Sequence, residues 1–455
     1  MNSTTVDVRP GGETRSGTTA GASAAAGTGA SASDASASGA ISRKAVAAAV
    51  AGNALEFYDF VIYAYFAVYI GRTFFPVGGE FGSLMIALAT FGVGFFTRPL
   101  GGVLIGAFAD KVGRKPAMIL TVVLITFGTL GLAATPSYAS IGIAAPIIVV
   151  FCRLLQGLAL GGEVGPATSL LIEAAPPGKR GFYSSWQIAS QGIAVAVGGV
   201  FGVTLSLMLS PDQLASWGWR VPFLFSLVLI PIAIYMRRSL PETHEGAHGR
   251  TGAQIVGSVF KEHRRILVLG VLITASVAVA SQVGNYMVTY AVQVLKLGPA
   301  VAQGSILMGG AMTFIFALLG GWLCDRYGRK AVNMLPRIAL TVLIVPLFLW
   351  LSGAPSAVTL LCVTAMLAGL TAIFGAAGLV AVPELLPIAV RSTGLSLVYA
   401  ISTSIFGGTT QFLVTWLLAV THNPLAPAYY VVIMSAISIW ATWMLPESRD
   451  VDVTK

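Results

Sequence analysis

Predominantly apolar runs of about 18 or more residues, separated by short loops, recur along this 455-residue chain, and each can cross the ~30 Å hydrocarbon core of a bilayer as a helix. A chain built this way cannot be a string of water-soluble domains. Charged residues are only 10% of it and hydrophobic residues 56%, against about 25% charged residues in soluble domains. An unpaired amide in hydrocarbon costs several kcal/mol, and the runs are too continuous for the alternating pattern of a barrel, so the spans are expected to be helices. The fold class that follows is an all-α polytopic membrane protein. Its 52 glycines suit close helix–helix approach in lipid. Cys152, Cys324 and Cys362 lie in or at the ends of apolar segments, and their odd count gives no disulfide framework.

The pattern predicts twelve transmembrane helices, at 45–70, 82–108, 117–135, 141–162, 182–209, 220–236, 266–292, 301–323, 331–351, 356–382, 394–420 and 427–445. Residues 1–42 are low-complexity Ser, Thr, Ala and Gly that cannot build a core, and read as a disordered cytoplasmic tail. That tail has no apolar run with a cleavage site, so the first helix is expected to be retained. With the N-terminus inside, tail and inner loops hold 21 of the 27 Lys and Arg residues, and outer loops hold only Arg72, Arg220 and Lys296. This asymmetry places both termini in the cytoplasm of a bacterial inner membrane. It also accounts for the net charge of +9 without a nucleic-acid partner.

The longest internal hydrophilic stretch, 237–265, divides the chain into bundles at 43–236 and 266–445, with a cytoplasmic tail at 446–455. The halves echo one another. GAFADKVGRK (106–115) returns as GWLCDRYGRK (321–330), Glu173-x6-Arg180 as Glu384-x6-Arg391, and Pro241-Glu242-Thr243 as Pro446-Glu447-Ser448. Two pseudo-symmetric six-helix bundles are expected, with a substrate site near the midplane between them.

These residues resemble the major facilitator superfamily, whose signature G-x3-D-x2-G-R-K/R matches the loop after the second span. The Glu-x6-Arg pairs and Pro-Glu-Thr/Ser ends resemble its branch of sugar porters and metabolite:proton symporters. GNALEFYDF (52–60), FFTRPLGG (95–102), RLLQGLALGGEVG (153–165), GKRGFYSSWQ (178–187), WGWRVPF (217–223) and VRSTGLSLVYAISTSIFGG (390–408) are similar to the metabolite:H+ symporter family. Within it, the GFYSSWQ and IFGG stretches most resemble citrate and tricarballylate carriers. The resemblance implies the major facilitator fold and proton-coupled uptake of citrate, 2-oxoglutarate, shikimate or a zwitterionic osmolyte.

Ionisable residues within spans are costly and therefore candidates for function. In the first span Glu56, Asp59 and Tyr63 can share a face, with Asn53 nearby. Two carboxylates three residues apart in low dielectric do not easily both ionise, so one can load and release a proton. Glu56, Asp59 and Glu163 are the proton-coupling candidates. Arg98 and Arg153 are deep cations able to hold a carboxylate bidentately or to neutralise those acids, while Arg337, seven residues into its span, is placed to snorkel. Polar stripes carrying Gln187 and Gln191, then Gln282, Asn285 and Tyr286, then Gln411, complete the substrate-binding candidates. Gln411 departs from the Pro or apolar residue expected in citrate-type relatives. For gating, an acid at Asp110 or Asp325 can face the N-terminal end of the eleventh or fifth span, beside Arg114 and Arg329. Glu173 with Arg180 and Glu384 with Arg391 can form further salt bridges; the resemblance gives these motifs the inner-gate role.

The fifth span, with Gly198, Gly199 and Gly202, lacks the Gly-Pro of the superfamily's antiporters. No H-E-x-x-H, Walker A loop or membrane His cluster occurs, since His244, His248 and His263 are loop residues and His422 lies in the outer half. The expectation is a carrier, not an enzyme, with no metal and no cofactor beyond the coupling proton. It should work as a monomer on a small di- or tricarboxylate such as citrate. A proline-, betaine- or shikimate-type proton symporter is the alternative, and an efflux antiporter or non-transporting sensor is further off.

Overall fold

The computed structural model describes residues 43–112, 114–161, 164–238 and 261–449. The tail at 1–42, the C-terminal residues 450–455 and most of the linker at 237–265 fall outside them, as does Glu163. So do the side chains of Asp110 and Arg114.

The described residues are helical and contain no strand. Helix α1 runs Arg43–Tyr65 and resumes after Phe66 as Ala67–Phe74. Helix α2 comprises Gly79–Phe96 and Arg98–Val112, and α3 is Arg114–Ala134. Helix α4 comprises Ala144–Leu160 and Val164–Glu173. Then come α5 (Arg180–Met208) and α6 (Val221–Arg238). In the second half α7 is Arg264–Gln293, α8 Pro299–Tyr327, α9 Arg329–Gly353 and α10 Ala357–Glu384. Helix α11 is Ile388–Ser402, a π-helical turn Thr403–Gly407 and Gly408–Thr421, and α12 is Ala426–Met444. Among the described residues nine helices are long and apolar enough to cross a membrane, and Ile119–Ala134, Ala144–Leu160 and Gly218–Val228 are shorter apolar helices at the third, fourth and sixth predicted spans.

Large apolar side chains such as Phe127, Phe151, Val342 and Trp443 point outward, as suits helices solvated by lipid. Inside, glycine decides which helices meet. A Cβ on Gly192 would come within 2.5 Å of the Phe314 backbone, and Gly310 lies as close against Ala196. The α5–α8 contact across the two halves is consequently the most extensive in the molecule's described part. Gly199 and Gly202 serve the same surface, against Leu307 and Gln303, while Gly198 packs against Tyr65 of α1.

The break in α2 shows how sequence sets a second crossing. Pro99 has no amide hydrogen to give the carbonyl four residues earlier. That carbonyl, on Phe95, accepts instead from the Ser404 hydroxyl of α11 at 2.6 Å, inside the π-helical turn. One turn away, Gly92 and Gly408 bring the two backbones together.

Candidate functional site

Helices α2 and α4 approach through paired small residues. Gly157 sits against Gly94, and Gly161 against the Arg98 carbonyl. This brings two buried arginines to one ring: the guanidinium carbons of Arg98 and Arg153 lie 4.3 Å and 4.4 Å from the centroid of Phe60. Arg98 also faces Phe95, and Arg153 faces Tyr63 and Phe91. Stacking of this kind is worth roughly 0.5–2 kcal/mol per contact, less than the cost of burying a cation. Electrostatic partners must make up the rest.

Arg153, with no exposed surface, donates to the Gln156 side chain at 2.7 Å, and Gln156 donates to the Thr129 hydroxyl at 2.8 Å. The Thr129 hydroxyl in turn lies beside the Asp59 carboxylate, whose charge also interacts with Arg153. No ion pair joins Arg153 and Asp59 directly. The acid and cation are instead connected by a relay across α1, α3 and α4, with the Ser226 hydroxyl of α6 beside the acid. Asp59 keeps one carboxylate oxygen without a hydrogen-bond partner, and Arg153 keeps two such nitrogens, Nε and Nη2.

Between the halves lies a cavity enclosing about 1250 Å³ of empty space including its opening. Phe57, Arg98, Gln187 and Gln191 line it from the first half, with Gln282, Asn285, Thr364, Thr371 and Tyr399 among the residues from the second. Arg98 is the single charged side chain among the described lining residues. Its Nε has no partner, and neither do Gln187 Oε1, Thr364 Oγ1 or Thr371 Oγ1. Buried polar atoms of this kind cost free energy unless something satisfies them.

The other candidates stand behind this wall. Asn53 accepts from Gln187 Nε2 at 2.8 Å and donates to Ser190 at 2.7 Å, fixing the Gln187 side chain. Gln411 donates to Gln282 at 2.9 Å, and Tyr286 accepts from Thr415 at 3.0 Å. Tyr63 packs beneath Arg153. Arg153, Asn53, Tyr63, Tyr286 and Gln411 therefore do not line the cavity, a correction to the set expected from polar stripes: a residue facing the protein interior need not face the cavity. Arg337 does not snorkel. It is fully buried, 4.5 Å from the Phe374 ring, and donates to the Ile273 carbonyl at 3.4 Å. Glu56 is buried on α1. Tyr399, Thr129 and Gln156 escaped the sequence reading. For Gln156 the signal was its spacing three residues after a buried arginine; for Thr129 and Tyr399 no comparable pattern existed.

One end of the bundle carries the repeated acids. Asp325 accepts from the backbone amides of Gly181 and Phe182 at 2.8 and 2.9 Å, capping the start of α5. Four amides without helical partners and the dipole make this a favourable place for an anion. Asp325 thus faces α5, one of the two ends expected for it. Glu384 takes Arg329 bidentately, at 2.9 and 2.8 Å, and Ser448 at 2.8 Å. Arg391 donates to the carbonyls of Pro383 and Leu386, while the charges of Glu173, Arg180 and Glu384 all act on it. The strong partner of Glu384 is therefore Arg329, a pairing the Glu-x6-Arg spacing did not indicate. Burial pushes the Glu447 carboxyl up, but hydrogen bonds from the amides of Arg329, Lys330, Arg449 and Ser448 outweigh it and hold the group below its usual value. Glu384→Gln leaves the buried Arg329 guanidinium with Asp325, at 3.5 Å, as its charged partner in place of a bidentate one, and removing one partner of a buried pair costs about 3–5 kcal/mol. A lowered thermal midpoint in detergent is the expected result, with Glu173→Gln, at an exposed site, close to wild type.

Residues 46–350 match the Major Facilitator Superfamily. The chain belongs to this superfamily. It is 35% identical to the citrate-proton symporter of Salmonella typhi over 88% of this chain and 93% of that one. It is 34% identical to a putative proline/betaine transporter of Staphylococcus aureus (strain MSSA476), over 87% of this chain and 86% of the relative. Among solved structures, a D-xylose-proton symporter superposes with a TM-score of 0.74 at 16% identity, covering 90% of this chain and 99% of that one. The fold is accordingly that of a multi-pass membrane protein of the facilitator type.

Proposed function

We propose that the protein is a proton-coupled importer of a small organic acid, a di- or tricarboxylate such as citrate, working by alternating access. The observation that carries this is Arg98, the single charge among the described residues of a cavity otherwise lined by amides, hydroxyls and apolar groups. A guanidinium between Phe60 and Phe95 presents a planar fork to a carboxylate. The amides of Gln187, Gln191, Gln282 and Asn285 can take the remaining carboxyl and hydroxyl groups. Citrate-proton symporters among the relatives support the same class.

Asp59 is the proton site in this reading. The proton neutralises the acid, the Thr129–Gln156 relay reports the change to Arg153, and Phe60 connects Arg153 to the substrate cation Arg98. The end bearing Asp325, Glu384 and Arg391 faces the cytoplasm of a bacterial inner membrane and forms the inner gate. Closure holds while Asp325 caps α5 and breaks as the halves rock. Reorientation is a shift between states of different affinity and needs no covalent step. The working unit is the monomer.

One carboxylate on Arg98 would also serve a zwitterion, and Phe57 and Phe95 supply ring faces of the kind that hold a quaternary ammonium. A proline- or betaine-type substrate is therefore the second reading. Labelled citrate should enter proteoliposomes only with an inward proton gradient and be blocked by tricarballylate but not betaine. Gradient-driven uptake of betaine or shikimate instead would reassign the substrate, and gradient-independent behaviour toward all of them would sink the symport reading.

A further inference from the structure

Helix α10 lines the cavity with two threonines, Thr364 and Thr371. They are 1% and 5% exposed, and neither hydroxyl has a partner. A helical threonine readily returns its hydroxyl to the carbonyl four residues earlier, and Thr341, Thr403, Thr415 and Thr442 do so, each at 2.8 Å. The two α10 threonines make no such bond. Thr364 turns its methyl toward α8, 3.4 Å from where a Cβ on Gly309 would stand, so its hydroxyl is spared for another side. Thr371 stands midway along Ala357–Glu384, one turn before Gly375, where α10 meets Ile188 of α5 and Val277 of α7. Its hydroxyl therefore meets the cavity at mid-helix, close to where the second half touches the first.

A hydroxyl both donates and accepts, so it matches another hydroxyl, whereas the Arg98 guanidinium can only donate. Resting on the carboxylate reading of this cavity, with Arg98 as its cation, we infer that Thr371 recognises a hydroxyl on the cargo, so that the carrier selects hydroxycarboxylates over the matching deoxy acids. In citrate the hydroxyl is on the central carbon, among the carboxyl groups, which suits the threonine at the centre of the helix. Thr364 lies seven residues away, about 10 Å along the axis, too far to share that hydroxyl, and takes an outlying carboxyl oxygen. Ala368, between them in the cavity wall, leaves room for the cargo. A deoxy acid fills the same space but leaves the buried Thr371 hydroxyl unpaired, and such a mismatch is what allows a site to reject an analogue that lacks one polar group.

Tricarballylate is citrate without its hydroxyl, so the pair isolates this contact. With the full chain in proteoliposomes, unlabelled citrate should halve labelled-citrate counterflow at a concentration at least about tenfold below that needed of tricarballylate. Thr371→Val should bring the two within about twofold by weakening citrate alone, and Thr371→Ser, which keeps a hydroxyl, should retain most of the wild-type ratio. Thr364→Val should weaken both acids alike and leave the ratio in place. Neither hydroxyl is bonded within the protein, so both valine variants should keep the wild-type thermal midpoint, which separates lost recognition from lost folding. A ratio unmoved by Thr371→Val, whether both acids weaken or neither does, would overturn the inference while leaving the carboxylate reading standing. So would a ratio moved by Thr364→Val instead, or a wild-type carrier that does not tell the two acids apart. Absence of citrate counterflow in the wild type would remove that reading and this inference with it.

Discussion

Asp59→Asn is expected to leave a carrier that equilibrates its substrate but no longer concentrates it. Each unit of pH difference is worth about 1.4 kcal/mol per coupled proton, so two units drive about 100-fold accumulation through a one-proton symporter, and the variant should fall to about onefold. Counterflow should persist within about threefold, because asparagine can still accept from Thr129 and keep the relay to Gln156 and Arg153 in place. The geometry favours Asp59 over its neighbour for this role. Its carboxylate meets hydroxyls of α3 and α6 and feels Arg153 on α4, so its protonation alters three helix contacts at once. Thr129→Val tests the wire and not the site: proton-driven accumulation should drop while Asp59 remains. Full accumulation by Asp59→Asn, measured as the internal-to-external ratio at steady state, would move the proton site elsewhere on the chain, with Glu56 the next variant to make.

The reach of the sequence was uneven for physical reasons. Helix count and order follow from hydrocarbon thickness and apolar runs, and they agree with the helices α1 to α12 to within a few residues at most ends. The repeat of GRK loops and acid pairs placed Asp325 and Glu384 at one end of the bundle correctly. Partner choice was less legible. Arg329 and Glu384 are 55 residues apart, on the start of α9 and the end of α10, and only the packing of those helices brings the fork to the carboxylate. Polar stripes had the same limit. Gln282 and Tyr286 lie one turn apart on α7, yet one faces the cavity while the other is held by Thr415. Rotation about the helix axis by a few tens of degrees decides this. The break at Thr97 was implicit in Pro99, but its consequence, a carbonyl accepting from the other half, needed the partner helix.

Arg98→Gln should abolish high-affinity carboxylate transport. Truncating one partner of a buried, hydrogen-bonded charge pair costs about 2–5 kcal/mol, so the half-saturation for citrate in counterflow should rise at least about 30-fold. The loss should belong to binding and not to folding, because Arg98 makes no ion pair within the described protein and its surroundings, Phe60 and Phe95, tolerate a neutral amide of smaller size. Arg98→Lys is the informative companion. An ammonium keeps the charge but not the fork, and its point-like, strongly hydrated head does not stack on two rings, so it should recover only part of the affinity. Equal rescue by lysine would mean that the cavity needs charge alone, which suits several carboxylates shared loosely among amides. Failure of lysine to rescue at all would mean that one carboxylate is gripped in a fixed plane between Phe60 and Phe95, and it would weigh toward a substrate with a single carboxylate. The two outcomes thus convert a mutation at one residue into a statement about how many charges the cavity is built to accept, which the identity of the helices alone does not determine.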